Sequence, residues 1–93
     1  MSVVIVGGHV RMVRQYKDIC EEYGCRAKVF TQMSSGLKGA LGSPDLVVLF
    51  TSTMSHKMLR YALSEVRGGP KIVRSHVSSG DALRGIMEAH AGA

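Results

Sequence analysis

The fold is decided by residues 3–20, VVIVGGHVRMVRQYKDIC. This stretch begins with four apolar residues, is interrupted by Gly7-Gly8, and continues as a segment whose apolar residues recur at helical spacing. A short apolar run that ends at glycine is typical of a buried strand, and an amphipathic segment is typical of a surface helix. The stretch therefore predicts a βα unit, the connection that joins parallel strands.

The same alternation continues to the end of the 93-residue chain, which is short enough to be a single domain, residues 1–93. We expect strands near residues 2–7, 26–31, 45–51 and 70–75, long helices near 11–23, 55–67 and 79–90, and a short helix near 37–41. Ser55 can cap the second long helix, and either Ser78 or Ser79 can cap the third. The pattern predicts an α/β fold, a Rossmann-like open parallel four-stranded sheet with helices on both faces. Right-handed crossovers make 2-1-3-4 the expected strand order.

Composition limits the classes of protein that the chain can represent. It is 45% hydrophobic and carries a formal net charge of +5, but no apolar run approaches the roughly 20 residues of a membrane span. No basic segment precedes the first apolar run, so we expect no secretory signal. Cys20 and Cys25 are too few for a zinc site, and we expect reduced thiols, with a disulfide between them as the alternative.

The candidate site follows from the predicted topology. In an open parallel sheet, ligands bind beyond the carboxyl ends of the strands where the strand order reverses, here between strands 1 and 3. Glycines at that point let the backbone approach a ligand, and helix N-termini there can hold an anion. The predicted ligand-binding residues follow strands 1, 3 and 4: Gly7, Gly8, His9, Arg11, Thr51, Ser52, Ser55, His56, Arg74, Ser75, His76 and Ser78.

Simpler explanations exist for several of these residues. The two glycines can equally be only the bend between a strand and a helix, and the missing third glycine argues against a standard NAD site. Ser55 and Ser78 can be explained by helix capping alone. Ser55-His56 and Ser75-His76 are sequence neighbours whose side chains normally diverge, so they do not predict a nucleophile and its base. We therefore favour binding without catalysis and keep a small enzyme of unknown reaction as a third hypothesis.

Four local features together carry a family resemblance. They are Gly7-Gly8 followed by a polar residue, a helix containing Tyr16, the element Thr53-Met54-Ser55-His56, and Arg74-Ser75 followed by Ser78-Ser79. In this order, and over almost the entire length, the chain resembles the small bacterial family known as domain of unknown function 2325. The resemblance implies a Rossmann-like fold and a cytoplasmic location, and it implies no particular activity.

Two hypotheses for the ligand remain open. The first is a regulatory domain that binds a nucleotide or another phosphorylated metabolite, a small anion that the basic chain would attract. The alternative is a haem or transition-metal protein, such as a redox or gas sensor, with His9, His56 and His76 as ligands. Nucleic acid would also be attracted, but the few aromatic residues are not interleaved with basic ones.

We also expect a homo-oligomer. A short domain buries a modest core, and the uncovered edges of its sheet need protection. A helix face, or the edge of strand 2 or strand 4, is the expected contact.

Overall fold

A computed structural model describes residues 1–32, 41–66 and 68–91. Its strands are β1 (Ser2–Gly7), β2 (Arg26–Phe30), β3 (Leu46–Phe50) and β4 (Lys71–Ser75). They form one sheet of order β2-β1-β3-β4 in which every neighbouring pair is parallel, so the predicted fold class and strand order are confirmed. Each strand agrees with its predicted bounds to within one residue.

Three helices accompany the sheet in the described ranges: α1 (Val13–Glu22), α2 (His56–Glu65) and α3 (Gly80–His90). A single 3-10 turn, Val10–Met12, leads into α1, and a second, Thr51–Thr53, lies between β3 and α2. The short helix expected near residues 37–41 falls almost entirely outside the described residues. None of the helices in the described ranges is long and apolar enough to cross a membrane.

The alternation of side chains along the strands creates two cores, one on each face of the sheet. Val3, Ile5, Val48 and Phe50 point to the face that α1 and α3 cover. Val4, Val6, Val47 and Leu49 point to the face that α2 covers. The central strand β3 is buried along its whole length, because it is paired on both sides and covered on both faces.

Local chemistry fixes where the helices begin and end. The hydroxyl oxygens of Ser55 and Ser79 each accept a backbone N–H bond of 3.1 Å, so Ser55 caps α2 and Ser79, rather than Ser78, caps α3. At the end of α1, Gly24 has φ +71° and the N–H of Cys25 donates to the carbonyl of Cys20 at 3.0 Å. This Schellman turn brings the two cysteines together as buried free thiols.

Candidate functional site

The ends of three strands meet at one edge of the sheet. Gly7 is paired with Phe50, and Phe50 is paired with Ser75. The segments that follow β1, β3 and β4, residues 8–9, 51–55 and 76–79, therefore start side by side, as the predicted topology requires. We call these three segments the carboxyl edge.

Hydrogen bonds join the segments of the carboxyl edge to one another. The backbone N–H of Gly8 donates to the Thr53 hydroxyl at 2.6 Å, and that hydroxyl donates to the carbonyl of Phe50 at 2.9 Å. The Thr51 hydroxyl makes a longer contact, 3.5 Å, with the carbonyl of Ser75. The N–H of Gly8, which could have contacted a ligand, is thus already bonded within the protein.

The two glycines are explained by close packing. Gly7 and Gly8 have φ values of +93° and +84°, a backbone conformation that L side chains rarely adopt. A Cβ atom at Gly7 would lie 2.8 Å from the carbonyl oxygen of Phe50, and one at Gly8 would lie 2.7 Å from the ring of Tyr16. On the side where a side chain would project, the protein's own atoms already fill the space.

Tyr16, on the buried side of α1, connects the segments of the carboxyl edge. Its side chain is fully buried, and its hydroxyl donates to the carbonyl of Ser78 at 2.6 Å. Its ring packs on Phe50 with a centroid distance of 5.2 Å and an angle of 39°. One side chain of α1 therefore contacts the turn after β1, the end of β3 and the segment after β4.

Tyr16 and Thr53 are not among the predicted ligand-binding residues. For Tyr16 a signal was present, because a tyrosine within the buried stripe of a helix needs a partner for its hydroxyl. For Thr53 no local signal distinguishes it from Thr51 and Ser52, since its partner, Gly8, lies 45 residues away. Both residues position the carboxyl edge and leave its outer surface to other side chains.

Several predicted binding residues are already bonded within the protein. Ser55 caps α2, the Ser75 hydroxyl donates to the carbonyl of Val77 at 2.6 Å, and Ser78 contributes its carbonyl to Tyr16. Apart from Thr51, whose hydroxyl contacts the carbonyl of Ser75, the other polar side chains of the predicted set are exposed and make no hydrogen bond or ion pair within the described part of the chain. These are His9, Arg11, Ser52, His56, Arg74 and His76.

The histidines do not assemble a metal centre of three ligands. Within residues 1–32, 41–66 and 68–91, no group of three His, Cys, Asp or Glu side chains is placed to hold a metal ion. A metal or haem at this edge would therefore be bound by one or two of His9, His56 and His76.

A groove lies outside the carboxyl edge, along the outer surface of α1 and the turn before it. It has a volume of about 530 Å³ and is open to solvent along one side. Of the predicted ligand-binding residues, only Arg11 lines it. Because residues 10–21 supply all the lining side chains, the groove is an open depression on the surface of one helical segment rather than an enclosed cavity.

A family model described as an uncharacterised protein conserved in bacteria, DUF2325, matches residues 2–90. The chain belongs to the DUF2325 family. The matched range includes every strand and helix described above, from β1 to α3, so the resemblance given by the sequence motifs is confirmed. No curated protein and no solved structure matches the chain significantly.

Proposed function

We propose that the protein is a non-catalytic, regulatory binding domain for a small anionic ligand, a nucleotide or another phosphorylated metabolite, at the carboxyl edge. One observation carries the proposal: His9, His56, His76 and Arg74 are exposed, make no hydrogen bond or ion pair with any other described residue, and project from segments whose backbones are fixed by internal hydrogen bonds. Because the backbone of these segments is already fixed, binding a ligand would need to order only the side-chain rotamers of these donors.

The charge of the edge favours an anion. Residues 8–9, 51–55 and 76–79 contain no Asp or Glu and are flanked by Arg11 and Arg74, whereas Asp81, in the first turn of α3, adds one acidic side chain close to them. The N-termini of α2 and α3 also lie at this edge, with the positive end of each helix dipole directed toward it. Arginine and histidine side chains are suited to phosphoryl oxygens, because their N–H groups form charge-assisted hydrogen bonds.

The hydroxyl bonding favours binding over catalysis. A serine nucleophile needs a base within hydrogen-bond reach. The Ser55 hydroxyl accepts from the N–H of Met58 and the Ser75 hydroxyl donates to a backbone carbonyl, so neither serine is bonded to the histidine that follows it. These bonds support a binding role.

The proposal is tested by isothermal titration calorimetry with a panel of inorganic phosphate, nucleoside mono-, di- and triphosphates, and sugar phosphates. We expect at least one phosphorylated compound to bind, with an affinity that falls as salt is added. Replacing Arg74 by Gln should weaken that binding, whereas Arg60→Gln, an exposed arginine on α2, is the matched control and should leave it unchanged. No binding by any compound at millimolar concentration would overturn the proposal.

The histidines give a second readout in the same assay. Because His9 and His56 are exposed in the free protein, replacing either by Ala should weaken binding by about 0.5–1.5 kcal/mol, the net value of one hydrogen bond, without lowering Tm. In a separate experiment, haemin is added to the protein and the absorption spectrum is recorded. A Soret band that depends on these histidines, with no phosphate binding, would replace the proposal with the haem hypothesis.

A further inference from the structure

The outer surface of α1 carries charges that are separated along the helix. We call this surface the α1 face, and it consists of the seven residues that line the groove: Val10, Arg11, Val13, Arg14, Lys17, Asp18 and Glu21. Three basic side chains lie toward its N-terminal end, and two acidic side chains lie toward its C-terminal end. None of the five charged groups makes an ion pair within the described residues.

The α1 face is not covered by the rest of the described chain. Tyr16, Ile19 and Cys20 bury the opposite side of α1 in the core. Glu22, on a third side, forms an ion pair with Arg84 that ties α1 to α3. Val10 is 62% exposed, so the α1 face presents apolar surface as well as unpaired charge.

We propose that the α1 face docks against the same face of a second copy of this chain, with the two helices antiparallel about a two-fold axis. Arg14 and Asp18 lie two residues on either side of Tyr16, and Arg11 and Glu21 lie five residues on either side. An antiparallel partner centred on the level of Tyr16 therefore places Arg14 opposite Asp18 of the partner subunit and Arg11 opposite Glu21 of the partner subunit. A two-fold axis repeats each contact, so both charge pairs form twice.

The charge pattern selects this occupant over others. A polyanion such as nucleic acid would be attracted to the basic end of the α1 face and repelled by Asp18 and Glu21. An acidic protein surface would meet the same repulsion. A second copy in antiparallel orientation pairs the charges at both ends and leaves only Lys17 of each copy near the two-fold axis, whereas a parallel copy would place every charge opposite its own equivalent. Val10 and Val13 add apolar surface to the contact.

The test is sedimentation velocity over a range of protein concentrations at low and high ionic strength. We expect a monomer–dimer equilibrium whose dimer is weakened by salt. Arg14→Asp and Asp18→Arg each place like charges opposite one another and should raise the dimer Kd about tenfold or more. The double variant R14D/D18R exchanges the two charges and should restore the dimer.

Arg60→Asp is the matched control, because it makes the same charge change on an exposed position of α2 and should leave the dimer Kd unchanged. Circular dichroism establishes that each variant is folded. Arg14 and Asp18 are outside the predicted ligand-binding set, so the result is independent of ligand binding at the carboxyl edge.

Three outcomes would overturn the proposal. One is a wild-type protein that stays monomeric at high micromolar concentration and low salt. Another is a dimer that keeps its Kd in both single variants, which would indicate pairing through the edge of β2 or β4. The third is a double variant that remains as weak as the single ones.

Discussion

Replacing Gly8 by Ala tests whether the turn after β1 is closed by the protein's own atoms. The added Cβ would lie 2.7 Å from both Cε2 and the hydroxyl oxygen of Tyr16, and 3.0 Å from Cζ. Carbon atoms in good contact are about 3.5–4.0 Å apart, so either the ring or the turn must move. The Tyr16 ring packs on Phe50 and its hydroxyl holds the carbonyl of Ser78, so it cannot move without losing those contacts.

The expected loss of stability has two sources. An L-residue in the left-handed region costs about 1–2 kcal/mol, and Gly8 has φ +84°. Overpacking of a well-filled site adds about 1–3 kcal/mol. Gly8→Ala should therefore lower the free energy of unfolding by about 2–5 kcal/mol, a large fraction of the roughly 5–14 kcal/mol expected for a chain of this length.

The assay is urea unfolding followed by circular dichroism, with Gly24→Ala as the matched control. Gly24 has φ +71°, but a Cβ there would meet nothing within 4 Å. The control should therefore lose only the backbone contribution, about 1–2 kcal/mol. If Gly8→Ala costs no more than Gly24→Ala, Tyr16 does not close the turn and the space beside Gly8 is open to a ligand.

Two further predictions concern buried polar groups. Thr53→Val should lower the free energy of unfolding by about 1–3 kcal/mol because the N–H of Gly8 loses its acceptor. Thr51→Val removes only a 3.5 Å contact and should cost clearly less. Equal losses in the two variants would contradict the role of Thr53 as the acceptor for Gly8. Burial of the Cys20 thiol, and to a smaller extent the nearby Cys25 thiol, raises the pKa of Cys20 from 9.0 to about 11. The neutral thiol therefore makes its full contribution to the free energy of unfolding below pH 9, and this contribution is lost as the pH rises through 11. Between pH 9 and pH 11 the free energy of unfolding of the wild type, measured with urea, should fall by about 2 kcal/mol more than that of Cys20→Ala. Parallel pH profiles for the two proteins would refute this.

The architecture could be predicted because it depends on patterns that are local in the sequence. Leu46–Phe50 is apolar at every position, as a strand covered on both faces requires, and the structure buries all of it. The buried stripe of α1, which includes Tyr16 and Ile19, follows from helical spacing in the same way. Strand order then follows from the handedness of the crossovers, which leaves few alternatives.

The packing of the carboxyl edge depends on contacts that no local pattern specifies. The sequence identifies Gly8 as a position of conformational freedom, but the atoms that fill the space beside it come from Tyr16 and Thr53. Which of the adjacent serines Ser78 and Ser79 caps α3 is also linked to a contact between residues that are distant in the sequence. Ser79 caps α3 while the carbonyl of Ser78 accepts the Tyr16 hydroxyl from a helix 62 residues earlier in the chain.

The closed turn also bears on which ligand the carboxyl edge can hold. Dinucleotide-binding sheets place a pyrophosphate against backbone N–H groups of a glycine turn, and here the N–H of Gly8 is bonded to Thr53. A ligand at this edge would therefore be held by exposed side chains such as Arg74 and His76. Side chains that project from separate segments can converge on a single phosphoryl group without any backbone contact. If the edge binds an anion as proposed, a mononucleotide or a sugar phosphate should bind more tightly than NAD, because the pyrophosphate of NAD would lack the backbone contacts that other sheets provide.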